Sequence, residues 1–314
     1  MFAFLYLPVG SSQEPVEIRV EQGEPLSSVV DKLKGAKVIS NKTLFSLWAT
    51  LTARDKKIQR GLYRFDLPVS PREILDRMEH GKGVFRRVTI PEGQTVKQIA
   101  ELLEKAGIAS KDRFLAQTGD PDLLRSLELK DKGVEGYLFP DTYYFVPFIS
   151  EREVLVAMVE RFRKAFSPAM RQQADEVGLS PHEVVTLASL IEKETGIDAE
   201  RPLVAAVFHN RLQLNIPLQS DPTVIYGLKD FAGNLTRKDL QSPSRHNTYL
   251  NRGLPPTPIC SPGLPSLQAA LAPARVPYLY FVSRKDGSHV FSATLEEHNR
   301  AVKMYQLGAQ RGPK

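Results

Sequence analysis

Two glutamates, Glu192 and Glu194, flank a lysine in the stretch Leu187-Ala188-Ser189-Leu190-Ile191-Glu192-Lys193-Glu194-Thr195-Gly196. Carboxyl groups serve as acids and bases in group-transfer chemistry once their surroundings tune them. At 3.6 residues per turn Glu194 shares a helical face with Leu187, Leu190 and Ile191, whereas Glu192 lies about 200° away, in line with Ala188 and Ser189. A carboxylate at the end of an apolar stripe is costly as an anion, so its pKa rises, which suits a general acid at neutral pH. The same pattern also reads as a hydrated carboxylate at a frayed helix end. A second cluster, Gln219-Ser220-Asp221-Pro222-Thr223, packs an amide, a carboxylate and two hydroxyls into five residues. Such density serves a turn, which Asp-Pro favours, or a ligand rich in hydroxyls, such as a sugar. In an extended segment Gln219 and Asp221 point the same way, and Pro222 biases Asp221 toward that conformation.

The elements that must position these groups are legible around them. Ser180, Pro181 and Glu183 form an N-cap, a first-turn proline and the third member of a capping box, and Gly196 is placed to end the helix. Asp198 reads as the cap of a next helix containing Leu203, Val204, Val207, Phe208 and Leu212, stopped by Pro217. His209, Asn210 and Arg211 lie toward its end, where the Arg211 charge suits the helix dipole. Val154 to Phe166 is amphipathic and is expected to pack against the Ser180–Gly196 helix. Residues 228–276 are punctuated by prolines and read as loop, with a short helix at Pro265 to Leu271 and with Asn247 and Tyr249 walling a cleft. Tyr278 to Val282 and Ser288 to Ser292 read as a hairpin in which His289 is an exposed strand residue, and Leu295 to Tyr305 as a closing helix.

Earlier in the chain a repeat is present. Ile18-Arg19-Val20-Glu21-Gln22-Gly23 is echoed by Val88-Thr89-Ile90-Pro91-Glu92-Gly93, and each copy continues into a helical pattern and a second short helix near Phe45 or Phe114. Strand, glycine turn and two helices resemble a LysM-like glycan-binding module, although packing modules that only position another domain fit as well. Between the copies Gly61 to Phe65 reads as a strand and Ser70 to Glu79 as a capped helix. Pro140 prevents a long helix through Gly136 to Phe145. The chain has 314 residues, 42% hydrophobic and 25% charged, which allows two globular domains. Its net charge of +6 favours an anionic environment, but no helix carries a dense Lys/Arg stripe, which disfavours nucleic acid. The single Cys260 excludes an intrachain disulfide and a cysteine zinc site, and no phosphate-binding glycine loop or metal motif occurs, so no cofactor is expected.

Several blocks in order resemble the endolytic murein transglycosylases, the MltG or YceG-like family. They are Glu135-Gly136-Tyr137-Leu138-Phe139-Pro140-Asp141-Thr142-Tyr143, Ala188 to Thr195, Val207-Phe208-His209-Asn210-Arg211-Leu212, Leu218 to Gly227, Tyr249, Gly253-Leu254-Pro255-Pro256 and Pro277 to Val282. The resemblance runs from about residue 16 to 305. It implies an α+β chain: a LysM-like region over 16–145 with repeats at 16–80 and 86–116, a mainly helical catalytic domain with a lysozyme-like active site and small β-hairpin over 146–308, and a disordered tail from 309. The apolar residues 1–15 would be the remnant of an inner-membrane anchor, or else a strand or disordered start; Met1 to Val9 alone fall short of the roughly 20 residues that span a bilayer. The implied activity is cleavage of the β-1,4 bond between N-acetylmuramic acid and N-acetylglucosamine inside glycan strands, with 1,6-anhydro ends as products. Glu194 would be the catalytic acid and base, and Gln219, Asp221, Thr223, Tyr226, Asn210 and Tyr249 would bind substrate. Peptidoglycan, its synthases and the periplasmic face of the inner membrane would be the setting. Two alternatives stand beside this reading: a hydrolytic muramidase with Asp221 or Asp198 activating water, and a noncatalytic wall-binding scaffold.

Overall fold

The computed structural model describes residues 2–10, 14–129, 133–229, 231 and 233–307, and the expected tail from residue 309 lies outside them. It is an α+β structure of helices and three small two-stranded sheets, divided into two compact units. One unit comprises Met1–Arg87, Ala106–Ile108 and Tyr144–Ile149; the other comprises Val88–Lys105, Ala109–Tyr143 and Ser150–Lys314. The break after Arg87 differs from the boundary expected near residue 146, because most of the second sequence repeat packs with the C-terminal part of the chain.

The first unit begins with helix α1 (Phe2–Tyr6), after which Val9 bridges Val69. Strand β1 (Val16–Val20), helices α2 (Leu26–Gly35) and α3 (Lys42–Leu51), strand β2 (Gly61–Phe65) and helix α4 (Pro71–Glu79) come next. β1 and β2 are antiparallel, with Ile18 opposite Tyr63 and Val20 opposite Gly61. Alternation along both strands buries Ile18, Val20, Tyr63 and Phe65 against Val29, Leu33, Phe45, Ile74 and Met78. Asn41 caps α3 and Ser70 caps α4 through their side chains, so the expected capped helix begins where its signals lie. Phe4 and Leu5 are partly buried against this core, and no described helix is long and apolar enough to cross a membrane.

The second unit runs through β3 (Arg86–Ile90), α5 (Val96–Lys105), α6 (Lys111–Thr118), α7 (Pro121–Ser126), β4 (Asp141–Phe145), α8 (Glu151–Ala165) and α9 (Pro168–Glu176). Then come α10 (Pro181–Glu194), α11 (Arg201–Gln213), α12 (Asp221–Gly227), α13 (Leu264–Leu271), the hairpin β5 (Tyr280–Ser283) and β6 (His289–Ser292), and α14 (Leu295–Val302). Gly23 and Gly93, equivalent in the repeat, have φ of +72° and +74°, a left-handed turn that glycine enters without steric cost. β3 pairs with β4. α8 packs against α6 and not, as expected, chiefly against α10; Phe162 on α8 instead meets Tyr137 edge-on at 5.1 Å.

α10 is the central helix of this unit, flanked by α9, α11, α12 and α13. Ser180 and Glu183 form the full capping box with Pro181 in the first turn. Every residue from Val184 to Ile191 is buried, so the helix has no solvent face over that span. Its polar residues are satisfied locally: Thr186 Oγ1 donates to His182 O at 2.9 Å, and Ser189 Oγ donates to Thr186 O at 2.7 Å. The helix ends because Thr195 turns extended (φ −143°, ψ 137°), with its hydroxyl accepting from Ile197 N at 3.0 Å; Gly196 is not needed as a left-handed stop.

Candidate functional site

Glu194 is the last residue of α10, at the point where the buried helix meets a cavity of about 290 Å³. Gln219, Asp221 and Tyr249 line that cavity with it, as do Arg211, Leu218, Phe281 and His298. Burial pushes the Glu194 carboxyl up to about 7; the neighbouring Asp221 charge adds to the rise, while Ser220 and Arg211 oppose it. Ser220 Oγ donates to Glu194 Oε1 at 2.5 Å. A carboxyl poised there is partly protonated at neutral pH and can give up or take a proton with little penalty.

Apolar facing does not separate the two glutamates, because α10 is buried all round from Val184 to Ile191 and the Glu192 side chain is only 7% exposed. Their partners do. Glu192 Oε1 lies 3.4 Å from Nη1 of the buried Arg201, and its Oε2 accepts from Gly263 N at 2.9 Å. Arg201 also binds Asp198 Oδ1 at 3.0 Å and Ser266 Oγ at 2.6 Å. Asp198 therefore serves this ion-pair cluster instead of capping α11, and it does not line the cavity around Glu194.

The stretch after α11 does not take the extended form expected for it. Gln219 is left-handed (φ +53°), Ser220 is extended, and Asp221 already begins α12, with Pro222 in the first turn where its missing N–H costs nothing. Gln219 and Asp221 nonetheless reach the same cavity. Arg211 holds the entry to this turn: Nη1 donates to Pro217 O at 3.1 Å, Leu218 O at 2.9 Å and Gln219 Oε1 at 3.3 Å, and Nε donates to Leu279 O at 2.7 Å. Tyr249 OH donates to Asp221 Oδ1 at 2.5 Å, and Asn247 Oδ1 fixes Tyr249 N at 2.9 Å.

Three other expected site residues are placed elsewhere. Thr223 is fully buried, with its hydroxyl 2.6 Å from Ser220 O and 2.9 Å from Thr248 Oγ1. Asn210 donates to Val276 O at 2.9 Å and Tyr278 O at 2.8 Å, tying α11 to the approach of the hairpin. Tyr226 OH donates to Glu135 Oε2 at 3.1 Å, and burial pushes the Glu135 carboxyl up to about 7. None of the three lines the Glu194 cavity. His289, expected as an exposed strand residue, is largely covered, its Nδ1 2.7 Å from Glu200 Oε2.

Phe281 and His298 reach the cavity from the hairpin and α14; Phe281 lies within a block that carries the resemblance, but neither residue is among the expected site residues. His298 stacks on Tyr280 at 5.2 Å, and its Nδ1 is buried without a hydrogen-bond partner among the described residues. Burial, with the Arg211 charge, lowers its pKa. Arg211 was visible in sequence as a helix-end cation, but its backbone acceptors are brought together only by the fold.

The profile of the YceG-like family matches residues 18–304. The chain belongs to the YceG-like family. An endolytic murein transglycosylase of Bacillus subtilis (strain 168) is 32% identical over 310 residues, a match that covers 94% of this chain and 86% of that protein. One from Streptococcus pneumoniae serotype 2 (strain D39) is 29% identical, covering 94% of this chain but only 59% of its own length. A crystal structure of a YceG-like protein from Listeria monocytogenes is similar with a TM-score of 0.64 and 33% identity, over 92% of this chain and 100% of that one.

Proposed function

We propose that this chain is an endolytic murein transglycosylase, a lyase that cuts the β-1,4 bond between N-acetylmuramic acid and N-acetylglucosamine within glycan strands and leaves 1,6-anhydro ends. The observation that carries the reading is Glu194, a carboxyl raised to about 7 at the wall of a polar cavity. The names of the relatives from Bacillus subtilis and Streptococcus pneumoniae support it.

In the first half of the reaction the protonated Glu194 gives its proton to the glycosidic oxygen as the bond from that oxygen to C1 of the muramoyl residue breaks. In the second half the Glu194 carboxylate takes the proton of the muramoyl C6 hydroxyl, whose oxygen bonds to C1. The proton returns to Glu194 and no water is consumed. Ordinary glycosidases need a second carboxylate; here the substrate supplies the nucleophile, so one lysozyme-like acid suffices. Gln219, Asp221 and Tyr249 bind the sugar: Tyr249 holds one oxygen of Asp221, and Arg211 holds the carbonyl of Gln219, so both side chains are oriented before substrate arrives.

The repeated strand–turn–helix pattern supports LysM-like modules at 16–80 and 86–116 that bind glycan. A murein substrate supports a setting outside the cytoplasm, and the family resemblance supports the outer face of the inner membrane.

The test is incubation with purified glycan strands and mass analysis of the products. The expected result is anhydro-ended fragments from the interior of the strand. Reducing ends would convert the assignment to a hydrolase, and absence of cleavage would remove the catalytic reading.

A further inference from the structure

Ser220 occupies the N-cap position of α12, where serine ordinarily accepts a hydrogen bond from a backbone N–H of the first turn. Its side chain makes no such cap bond. The hydroxyl instead donates to Glu194 Oε1 at 2.5 Å, from a residue only 2% exposed. The chain around that hydroxyl is clamped. Ser220 N donates to Thr248 Oγ1 at 3.0 Å, Thr223 Oγ1 donates to Ser220 O at 2.6 Å, and Thr223 and Thr248 hydroxyls lie 2.9 Å apart. Gln219 N adds a bond to Thr248 O at 3.1 Å. A hydroxyl has one proton to give, and Glu194 Oε1 is the acceptor this arrangement offers it. Glu194 Oε2 has no hydrogen-bond partner among the described residues, and the side chain lines the cavity.

Resting on the transglycosylase reading of the site, we propose that Ser220 is a positioning residue that divides the labour between the two oxygens of Glu194. By donating to Oε1 it reserves Oε2 for the transferable proton and holds that oxygen toward the substrate. The same donor then stabilises the carboxylate left after proton transfer, ready to act as base toward the C6 hydroxyl. Thr223 and Thr248 contribute by fixing Ser220, which accounts for buried hydroxyls within the motif that never reach the cavity.

The experiment compares Ser220→Ala, Ser220→Cys and Ser220→Thr with the parent chain in three readings: turnover across pH, melting temperature, and titration of the Glu194 carboxyl by carbon-13 NMR. Loss of a hydrogen bond to a charged group should lower kcat by about ten- to hundredfold in Ser220→Ala. A donor to the charged form holds a pKa down, so its loss should move the alkaline limb of the kcat profile, and the NMR midpoint, to higher pH. Ser220→Cys, isosteric with a weaker donor, should shift both in the same direction, and Ser220→Thr should restore both. An NMR midpoint and alkaline limb unchanged in folded Ser220→Ala or Ser220→Cys would overturn the proposal, even if stability fell. Because the NMR reading needs no turnover, failure of the transglycosylase assignment would show separately, in the products of the parent chain.

Discussion

Glu192 and Glu194 share a short motif and a helix, yet the charges around them give them different chemistry. Glu192 is paired with Arg201 and accepts a hydrogen bond from a backbone N–H; Glu194 has Asp221 nearby and a serine hydroxyl on one oxygen. Glu194→Gln should therefore cut turnover by about 10²–10⁴-fold, the usual worth of a general acid, while leaving the fold intact. Glu192→Gln should do the reverse. It removes one partner of the buried Arg201, which keeps Asp198 and Ser266, and loss of a hydrogen bond to a charged group costs about 1.5–3 kcal/mol, so the melting temperature should fall while kcat below the melting transition stays within about tenfold. Parallel kinetics and melts check both, and a Glu192→Gln variant that melts normally but is inactive would reverse the assignment. The sequence separates the two by an apolar stripe, but that argument depends on a helix with a polar side, and α10 has none between Val184 and Ile191. What distinguishes the two carboxyls is the set of partners brought from residues 198–263, which helical periodicity cannot reveal.

Among the elements, those whose boundaries are written in local chemistry were legible. The capping box of α10, the caps of α4, the strand β2, the hairpin and the helix near Leu264–Leu271 lie close to where their signals stand. α12 was not legible, because Asp-Pro in a polar run reads as a turn and nothing local shows that Gln219 adopts a left-handed conformation. Tertiary contacts hold that turn: Arg211 on one side, Thr248 on the other. At the far end of α12, Tyr226 is tied to Glu135, which also accepts from Val96 N at 3.1 Å at the start of α5. Tyr226→Phe should accordingly behave as a loss of one buried hydrogen bond, about 1 kcal/mol, lowering the melting temperature. Turnover at temperatures well below the melt should remain near the parent level. A large rise in KM without any change in melting would show instead that Tyr226 touches substrate.

For the molecule as a whole, the described structure divides into two compact units, and each contains strand, glycine turn and helix from one copy of the sequence repeat. The units divide the chain differently from the repeats, because a repeat records similarity of sequence, whereas a unit is defined by which residues pack together. The second unit also carries a pH dependence that its buried carboxyls impose. Glu194 and Glu135 each rise from 4.5 to about 7, so between those values the folded chain binds more protons than the unfolded chain. Stability from these groups is fully present below about 4.5, declines as pH rises through that window, and is gone above about 7. Buried His209 and His246, whose pKa values are lowered, act in the opposite sense: the stability they contribute is lost as pH falls below 6.5. A raw melting profile therefore mixes the two trends. Comparing Glu194→Gln with the parent chain removes the histidine terms, since they are common to both. Glutamine keeps an acceptor for Ser220 and cannot ionise, so the variant should match the parent near pH 5 and melt higher at pH 8. A variant less stable than the parent by the same margin at both pH values would mean that Glu194 is not held in a medium that disfavours its charge, and the acid role would lose its physical basis.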